Sequence, residues 1–322
     1  MDHSLPQDAP QHASQHALAD AALIRLARAV RDTGYSFVTP TPLTIARVNA
    51  RPGAEWAADL RGVFGWSRPF RDGTVPPDVV SLMRDAGALA EVPGGHRSLL
   101  RLSTLDGELF LHSAHPTTAA DAVFFGPDTY RFANAILAHR PAGPVRRAVD
   151  IGCGAGPGAV LVARAHPAAE VLAVDINDAA LRLARANAAG AGVAVRAVNS
   201  NLLLGVEGAF DLIVANPPYL VDPGERAYRH GGGPLGAGLS LAILDAALDR
   251  LAHGGTLLLY TGAAIVNGAD PFRDAAATRF AGADAAWGYR ELDPDVFGEE
   301  LEGGAYAAAD RIAAVLLTVI KQ

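Results

Sequence analysis

Short apolar runs alternate with stretches of helical spacing through the last two-thirds of the chain. Val145–Ile151, Val171–Val174, Val193–Val198, Phe210–Ala215 and Gly255–Tyr260 are four to seven residues long, rich in Val, Ile and Leu, and closed by Gly, Asp or Asn. Runs of that length and composition predict strands buried on both faces. Between them the apolar positions recur at helical spacing, in a segment ending at His166, in Asp178–Asn187, in Leu239–Leu251 and in Asp270–Phe280. Trp287–Leu292 and Ile312–Ile320 complete the set as two further strands. Strands and helices that largely alternate in this way are those of an open α/β sheet.

The first third has another rhythm. Residues 1 to about 16 are polar, carry Pro6 and Pro10 with His3, His12 and His16, and predict a frayed tail. Leu18 to Val30 has helical spacing, with Gly34 as its stop. A helical segment near Glu55–Phe64 is followed by Pro76-Pro77, which opens a second helix, Asp78–Ala86, stopped by Gly87. Leu99–Leu102 and Glu108–Leu111 then predict a hairpin about Asp106-Gly107. Helix, helix and hairpin in that order resemble a winged-helix module, so residues 17–118 are expected as a smaller α+β domain and residues 119–322 as a second domain.

Composition narrows the partners. Half the residues are hydrophobic and 19% charged, as in an ordinary globular protein, and the net charge is −7. Residues 1–125 hold 11 Arg against 13 Asp and Glu, without the basic stripe of a nucleic-acid reader. Docking of a partner, or homodimerisation, is therefore the expected role of the first domain, ahead of DNA binding. The single cysteine, Cys153, has no partner for an intramolecular disulfide, and no apolar run reaches membrane-spanning length. A cytoplasmic protein is expected. His112 and His115 form an H-x-x-H pair, but Pro116 follows and no further ligand completes a metal site.

Candidate chemistry begins after Ile151. The run Gly152-Cys153-Gly154-Ala155-Gly156-Pro157-Gly158 lies between a strand ending near Asp150 and a helix. Glycines there let the backbone turn tightly and approach a ligand, and a helix N-terminus presents N–H groups. Gly154-x-Gly156-x-x-Ala159 also satisfies a dinucleotide fingerprint, and Asp175 ends the next strand, where an acid holds ribose hydroxyls. The loop thus points to an adenosine-containing ligand without choosing between cofactors. Asn201, after the third strand, carries an amide able to read an adenine edge, or serves as a turn residue. Ahead of the loop, Asp128 or Thr129 caps the helix from Arg131 to Ala138.

The second candidate is Asn216-Pro217-Pro218-Tyr219, directly after the strand Phe210–Ala215. Two prolines cannot continue a ladder, so the chain leaves the sheet in a stiff corner. A carbonyl, a side-chain amide and an aromatic ring are offered together at a strand's carboxyl end. That set suits a planar group bearing N–H2. A glycine-rich loop follows, with Tyr228, Arg229 and His230, and is a candidate lid over the acceptor. The acidic run Asp293 to Glu302 is either a solvated loop or a surface facing substrate.

These motifs, Val149-Asp150-Ile151-Gly152-Cys153-Gly154-Ala155-Gly156, Asp175 and Asn216-Pro217-Pro218-Tyr219, resemble the class I S-adenosylmethionine-dependent methyltransferases, specifically their HemK-like branch. Pro127-Asp128-Thr129 resembles the segment of that branch that lies over the cofactor. The resemblance covers residues from about 119 onward. It implies a Rossmann-like, seven-stranded, mostly parallel sheet with its last strand antiparallel. It implies S-adenosylmethionine as cofactor, held by Asp128, Thr129, Asp150, Gly152, Cys153, Gly154, Asp175, Ile176, Asn201, Leu202 and Asn216. Asn216, Pro217 and Tyr219 would be catalytic, and Pro218, Tyr219, Tyr228, Arg229 and His230 would meet the acceptor. Dehydrogenases have no counterpart of the Asn-Pro-Pro-Tyr corner. Two departures stand out: the family usually has an acid where this chain has Asn201, and its glutamine methyltransferases carry a helical-bundle N-terminal domain.

Methyl transfer from a sulfonium is an in-line displacement, to which alignment contributes roughly 7–11 kcal/mol. An amide or arylamine nitrogen has its lone pair in conjugation, whose strength the amide rotation barrier of about 18–20 kcal/mol measures. The Asn216 oxygen and the Pro217 carbonyl would accept its two N–H groups, stabilise the charge that develops on nitrogen, and leave Tyr219 to stack on the plane. The acceptor is a small metabolite or peptide, or a protein side chain such as glutamine, with a nucleobase behind these. A reading from another class is a winged-helix regulator with an adenosine-sensing core.

Overall fold

Thr41, Pro76 and Gly126 each precede a proline at the start of a helix, and this punctuation sets much of the local structure. The computed structural model describes residues 9–226 and 228–322. The chain divides into two units, the first reaching Thr118 and including Ala189–Gly192, the second made of residues 119–188 and 193–322.

In the first unit, helix α1 spans Ala9–Asp32 and ends at Gly34, whose φ of +78° is the left-handed stop a glycine supplies. Residues 9–16, expected as frayed tail, thus belong to a helix. Pro10 sits in its first turn, where a missing N–H costs nothing, and Ala13 and Ala17 favour helix. Residues 1–8, with His3 and Pro6, lie outside the described residues. Helix α2, Pro42–Asn49, is capped by Thr41, whose side chain accepts from the Thr44 N–H. The helix expected near Glu55–Phe64 shrinks to one π-helical turn, Arg61–Gly65. Its first half is drawn off elsewhere, because the Ala57 N–H bonds to the Pro69 carbonyl.

Helix α3, Pro77–Asp85, leads into two hairpins. The first pairs β1, Leu89–Val92, with β2, Gly95–Ser98; the second pairs β3, Leu100–Leu105, with β4, Glu108–Ser113, about Asp106-Gly107. His112 is buried on β4 with its Nε2 2.7 Å from the Ser103 hydroxyl, and burial holds its pKa well below the ordinary value.

The second unit is built on seven strands: β5 Arg147–Ile151, β6 Glu170–Asp175, β7 Arg196–Asn199, β8 Phe210–Ala215, β9 Leu251–Ile265, β10 Ala285–Asp293 and β11 Arg311–Lys321. They lie in the order β10-β11-β9-β8-β5-β6-β7. β5 to β9 run parallel, and β11 inserts antiparallel to both β9 and β10. Helices α4 (Pro127–Ala138), α5 (Pro157–Ala165), α6 (Asp178–Ala191), α7 (Gly238–Arg250) and α8 (Pro271–Phe280) connect them. Val149, Ile151, Leu172, Ile213, Leu257 and Val315 carry one core across the strands, with Ile243, Leu244 and Phe272 packed on it. The Rossmann-like sheet with an antiparallel penultimate position in space, inserted last in sequence, is the architecture the resemblance implied.

From β5 the chain moves outward to β6 and β7, then returns across β5 to β8 and β9. The reversal falls between β5 and β8. Ligands of open α/β sheets bind at that point, beyond the carboxyl ends of the strands.

Candidate active site

A cleft of about 220 Å³ opens at this reversal. Asp150 to Ala155, Asp175 to Asn177, Ser200 to Leu202 and Asn216 to Leu220 line it, each group at the end of a different strand. Phe124, Asp128, Thr129, Tyr228, Arg229 and Phe297 line it as well.

The glycine loop is stapled rather than open. The Gly152 and Cys153 N–H groups both donate to the Val174 carbonyl, at 2.9 and 3.0 Å, and the Gly154 N–H donates to Asp175 Oδ2 at 2.9 Å. Gly152, Gly154 and Gly156 take φ of +66°, +52° and +80°, which side chains rarely adopt. Asp150 is buried beneath the loop, and its Oδ2 accepts the Ala159 N–H at the start of α5, 2.9 Å away. Gly158 makes room for that contact, since a Cβ there would lie 2.6 Å from the same oxygen.

The place where a dinucleotide pyrophosphate would sit is thus filled by a carboxylate. A phosphate would face like charge, whereas a cationic cofactor would meet two acids. Burial, with Asp175 nearby, pushes the Asp150 pKa up to about 7, and burial likewise raises that of Asp175. Beside these acids lie two apolar side chains, Ile176, which is 61% exposed, and Leu202, whose φ is +51°. Carboxylates for an ammonium and hydroxyls, with apolar faces for a base, match the donor and surface needs of S-adenosylmethionine.

β8 ends at Ala215, and Asn216, Pro217 and Pro218 turn away along the cleft wall. No described residue hydrogen-bonds the Asn216 side-chain amide. Tyr219 is buried instead, its ring edge-on to Tyr260 and Phe297 at 6.5 and 5.8 Å. Its hydroxyl donates to Asp128 Oδ2 at 2.9 Å, while the Tyr260 hydroxyl donates to Asp128 Oδ1 at 2.6 Å. Arg131 Nη1 lies 3.2 Å from the same Oδ1 and its Nη2 2.7 Å from Asp293. Asp128 is also buried; that burial raises its pKa, against the pull of the two hydroxyls and Arg131.

The structure separates the expected acceptor residues. Tyr228 and Arg229 line the cleft; Tyr228 stacks on Phe124 at 6.2 Å, and Arg229 pairs with Glu300. His230 does not line it, since its Nδ1 accepts the Asp222 N–H at 3.1 Å and serves the loop's own fold. Asn201 lines the cleft and is exposed, while its neighbour Ser200 is buried and bonded to the Gly205 N–H. Thr129 lines the cleft too; α4 begins at Pro127 rather than Arg131, with Gly126 as its cap, so Asp128 and Thr129 lie inside the first turn and the Thr129 hydroxyl accepts the Gly126 N–H. Sequence reasoning missed Phe124, Tyr260, Gly262 and Phe297. Tyr260 and Gly262 sit inside a strand that is buried from Gly255 to Ile265, where nothing local distinguishes them.

The fold is a Rossmann-like seven-stranded sheet with a cleft at its reversal. Residues 120–265 match the family model described as methyltransferase small domain. Among curated relatives, the chain is 36% identical over 169 residues to the release factor glutamine methyltransferase of Deinococcus radiodurans, covering 49% of this chain and 60% of that protein. It is 34% identical over 186 residues to that of Neisseria gonorrhoeae, covering 53% and 64% respectively. It is 38% identical over 131 residues to the ribosomal protein uL3 glutamine methyltransferase of Bordetella pertussis, covering 37% and 44%. The chain therefore spans less than two-thirds of the length of these relatives. No helix among the described residues is long and apolar enough to cross a membrane.

Proposed function

We propose that the chain methylates the side-chain amide nitrogen of a glutamine in a protein. The observation that carries this reading is the Asn216–Tyr219 corner, where the Asn216 side-chain amide lacks a partner among the described residues and belongs to the wall of the cleft that Asp150 and Asp175 also line. The three glutamine methyltransferases that the chain resembles favour a glutamine over other planar amines.

In this reading Asp150, Asp175, Ile176 and Leu202 hold the cofactor, with Gly152, Cys153 and Gly154 shaping its seat and Thr129 and Asn201 at its margins. S-adenosylmethionine supplies an electrophilic methyl group when bound. The Asn216 oxygen and the Pro217 carbonyl accept the two amide N–H groups and hold the nitrogen with its lone pair toward that methyl. The same acceptors stabilise charge developing on nitrogen, and the extra proton leaves to solvent after transfer. No described residue need act as a strong base. Pro218 and Tyr228 flank the amide plane, and Arg229, tied to Glu300, borders the entry. The N-terminal unit serves docking or dimerisation, which light scattering and truncation would separate.

Labelled S-adenosylmethionine added to bacterial extract, followed by separation into protein, RNA, DNA and small-molecule fractions, tests the acceptor class. Label in protein, recovered as methylglutamine in a release factor or uL3, is the expected result. Label confined to RNA or metabolites would overturn the glutamine assignment.

A further inference from the structure

We infer that Asp128 and Tyr260 are positioning residues for the Asn216–Tyr219 corner, acting through the Tyr219 hydroxyl and not through the cofactor. The inference rests on the reading of that corner as the amide-binding site. It departs from the expectation that Asp128 is a cofactor ligand.

The two prolines fix local shape but do not anchor the corner to anything. Tyr219 is the first side chain past them long enough to do so. Its hydroxyl reaches Asp128 on α4, and the second Asp128 oxygen takes the Tyr260 hydroxyl from β9 and Arg131 from the next turn of α4. Both carboxylate oxygens are thus engaged by protein donors, and only 6% of the residue is exposed. Little of Asp128 is left for a ligand. What it does is reference the corner to a helix and a central strand at once. From below, the ring of Tyr219 rests where a Cβ on Gly262 would come within 2.2 Å of its carbons. Three donors on one buried carboxylate leave no slack in that linkage, and charge-assisted hydrogen bonds of this kind are the stronger ones.

Release of the Tyr219 hydroxyl would let the corner shift, and a misplacement of about 1 Å costs on the order of 100-fold in rate. The test uses the full chain with a purified bacterial release factor as acceptor, measuring kcat and KM, with calorimetry for S-adenosylmethionine affinity. Tyr219→Phe, Tyr260→Phe and Asp128→Asn are compared singly, and Tyr219→Phe is combined with Asp128→Asn. The control is Tyr289→Phe, which removes a hydroxyl bonded to Asp270 at 2.6 Å outside the cleft lining. Thermal melts confirm that each variant is folded.

The expected result is a fall in kcat of about 10- to 100-fold for each of the three, with cofactor affinity within twofold. The double variant loses no more than its worse single, and Tyr289→Phe keeps its rate. A kcat within twofold of the parent for Tyr219→Phe overturns the inference. So does cofactor affinity that falls in step with rate, which would make Asp128 a cofactor ligand. Asn216→Ala run alongside separates the layers: if it stays active, the corner's assignment falls; if it alone is dead, only the positioning role falls.

Discussion

The ring of Tyr219 occupies the volume that any side chain at position 262 would need: a Cβ built on Gly262 falls 2.2 Å from two of its ring carbons. Gly262 sits in β9 beside β11, paired with Ala314, so the strand has no freedom to move aside. Gly262→Ala is therefore expected to displace Tyr219. Overpacking of this kind costs typically 1–3 kcal/mol, read as a lowered denaturant midpoint. Transfer should fall at least tenfold while S-adenosylmethionine still binds; unchanged turnover would show that the ring has room.

Asn216→Ala removes one of the two proposed acceptors and leaves the cofactor seat intact. Loss of a single preorganised group of this kind costs roughly 100- to 1,000-fold in kcat elsewhere. Cofactor affinity should stay within a few-fold. Single-turnover kinetics and calorimetry on the same preparation measure both, and survival of the rate would remove Asn216 from the chemistry.

Asp150 makes the empty protein's stability depend on pH in an uncommon direction. Its folded pKa of about 7 lies above the roughly 3.9 of an unfolded aspartate, so the folded state holds an extra proton between those values. The associated stability is fully present below about pH 4 and is lost as pH rises through 7. Its upper bound is roughly 4 kcal/mol. Asp150→Asn keeps an oxygen for the Ala159 N–H and carries no titration. Melts of both proteins from pH 4 to 8 should show a stability gap that widens in favour of the variant as pH rises. A gap independent of pH would mean that Asp150 stays ionised.

Ile176 and Leu202 expose apolar surface at the cleft. Fully burying such a side chain contributes about 1.5–3 kcal/mol. Ile176→Ser should accordingly weaken S-adenosylmethionine binding by about tenfold or more, with kcat at saturating cofactor little changed. Affinity unchanged by calorimetry would move the adenine elsewhere.

Much of the second unit was legible because its strands are short apolar runs closed by residues with one physical meaning. β8 was read with its observed ends, since Pro217 permits nothing beyond Asn216. β9 proved far longer than Gly255–Tyr260, because its pairing with β11 carries it on through Gly262 to Ile265. No local residue announces that. In the first unit the β3–β4 hairpin followed from Asp106-Gly107, while β1, β2 and α2 went unread, their segments being short and with few buried residues. In the cleft, residue identity located Asp150, Asp175 and Asn216. It could not show that Tyr219 turns inward, or that the acidic run places Phe297 at the wall, because both depend on partners 41 to 91 residues away in the chain.

Cys153 is buried in the glycine loop, and burial beside Asp150 and Asp175 pushes its thiol pKa well up, so it stays protonated and shielded. The molecule is in effect thiol-silent at its surface. A cysteine introduced at an exposed position, such as Leu204 or Val38, would be the one site a maleimide dye reaches, with no native residue to remove first.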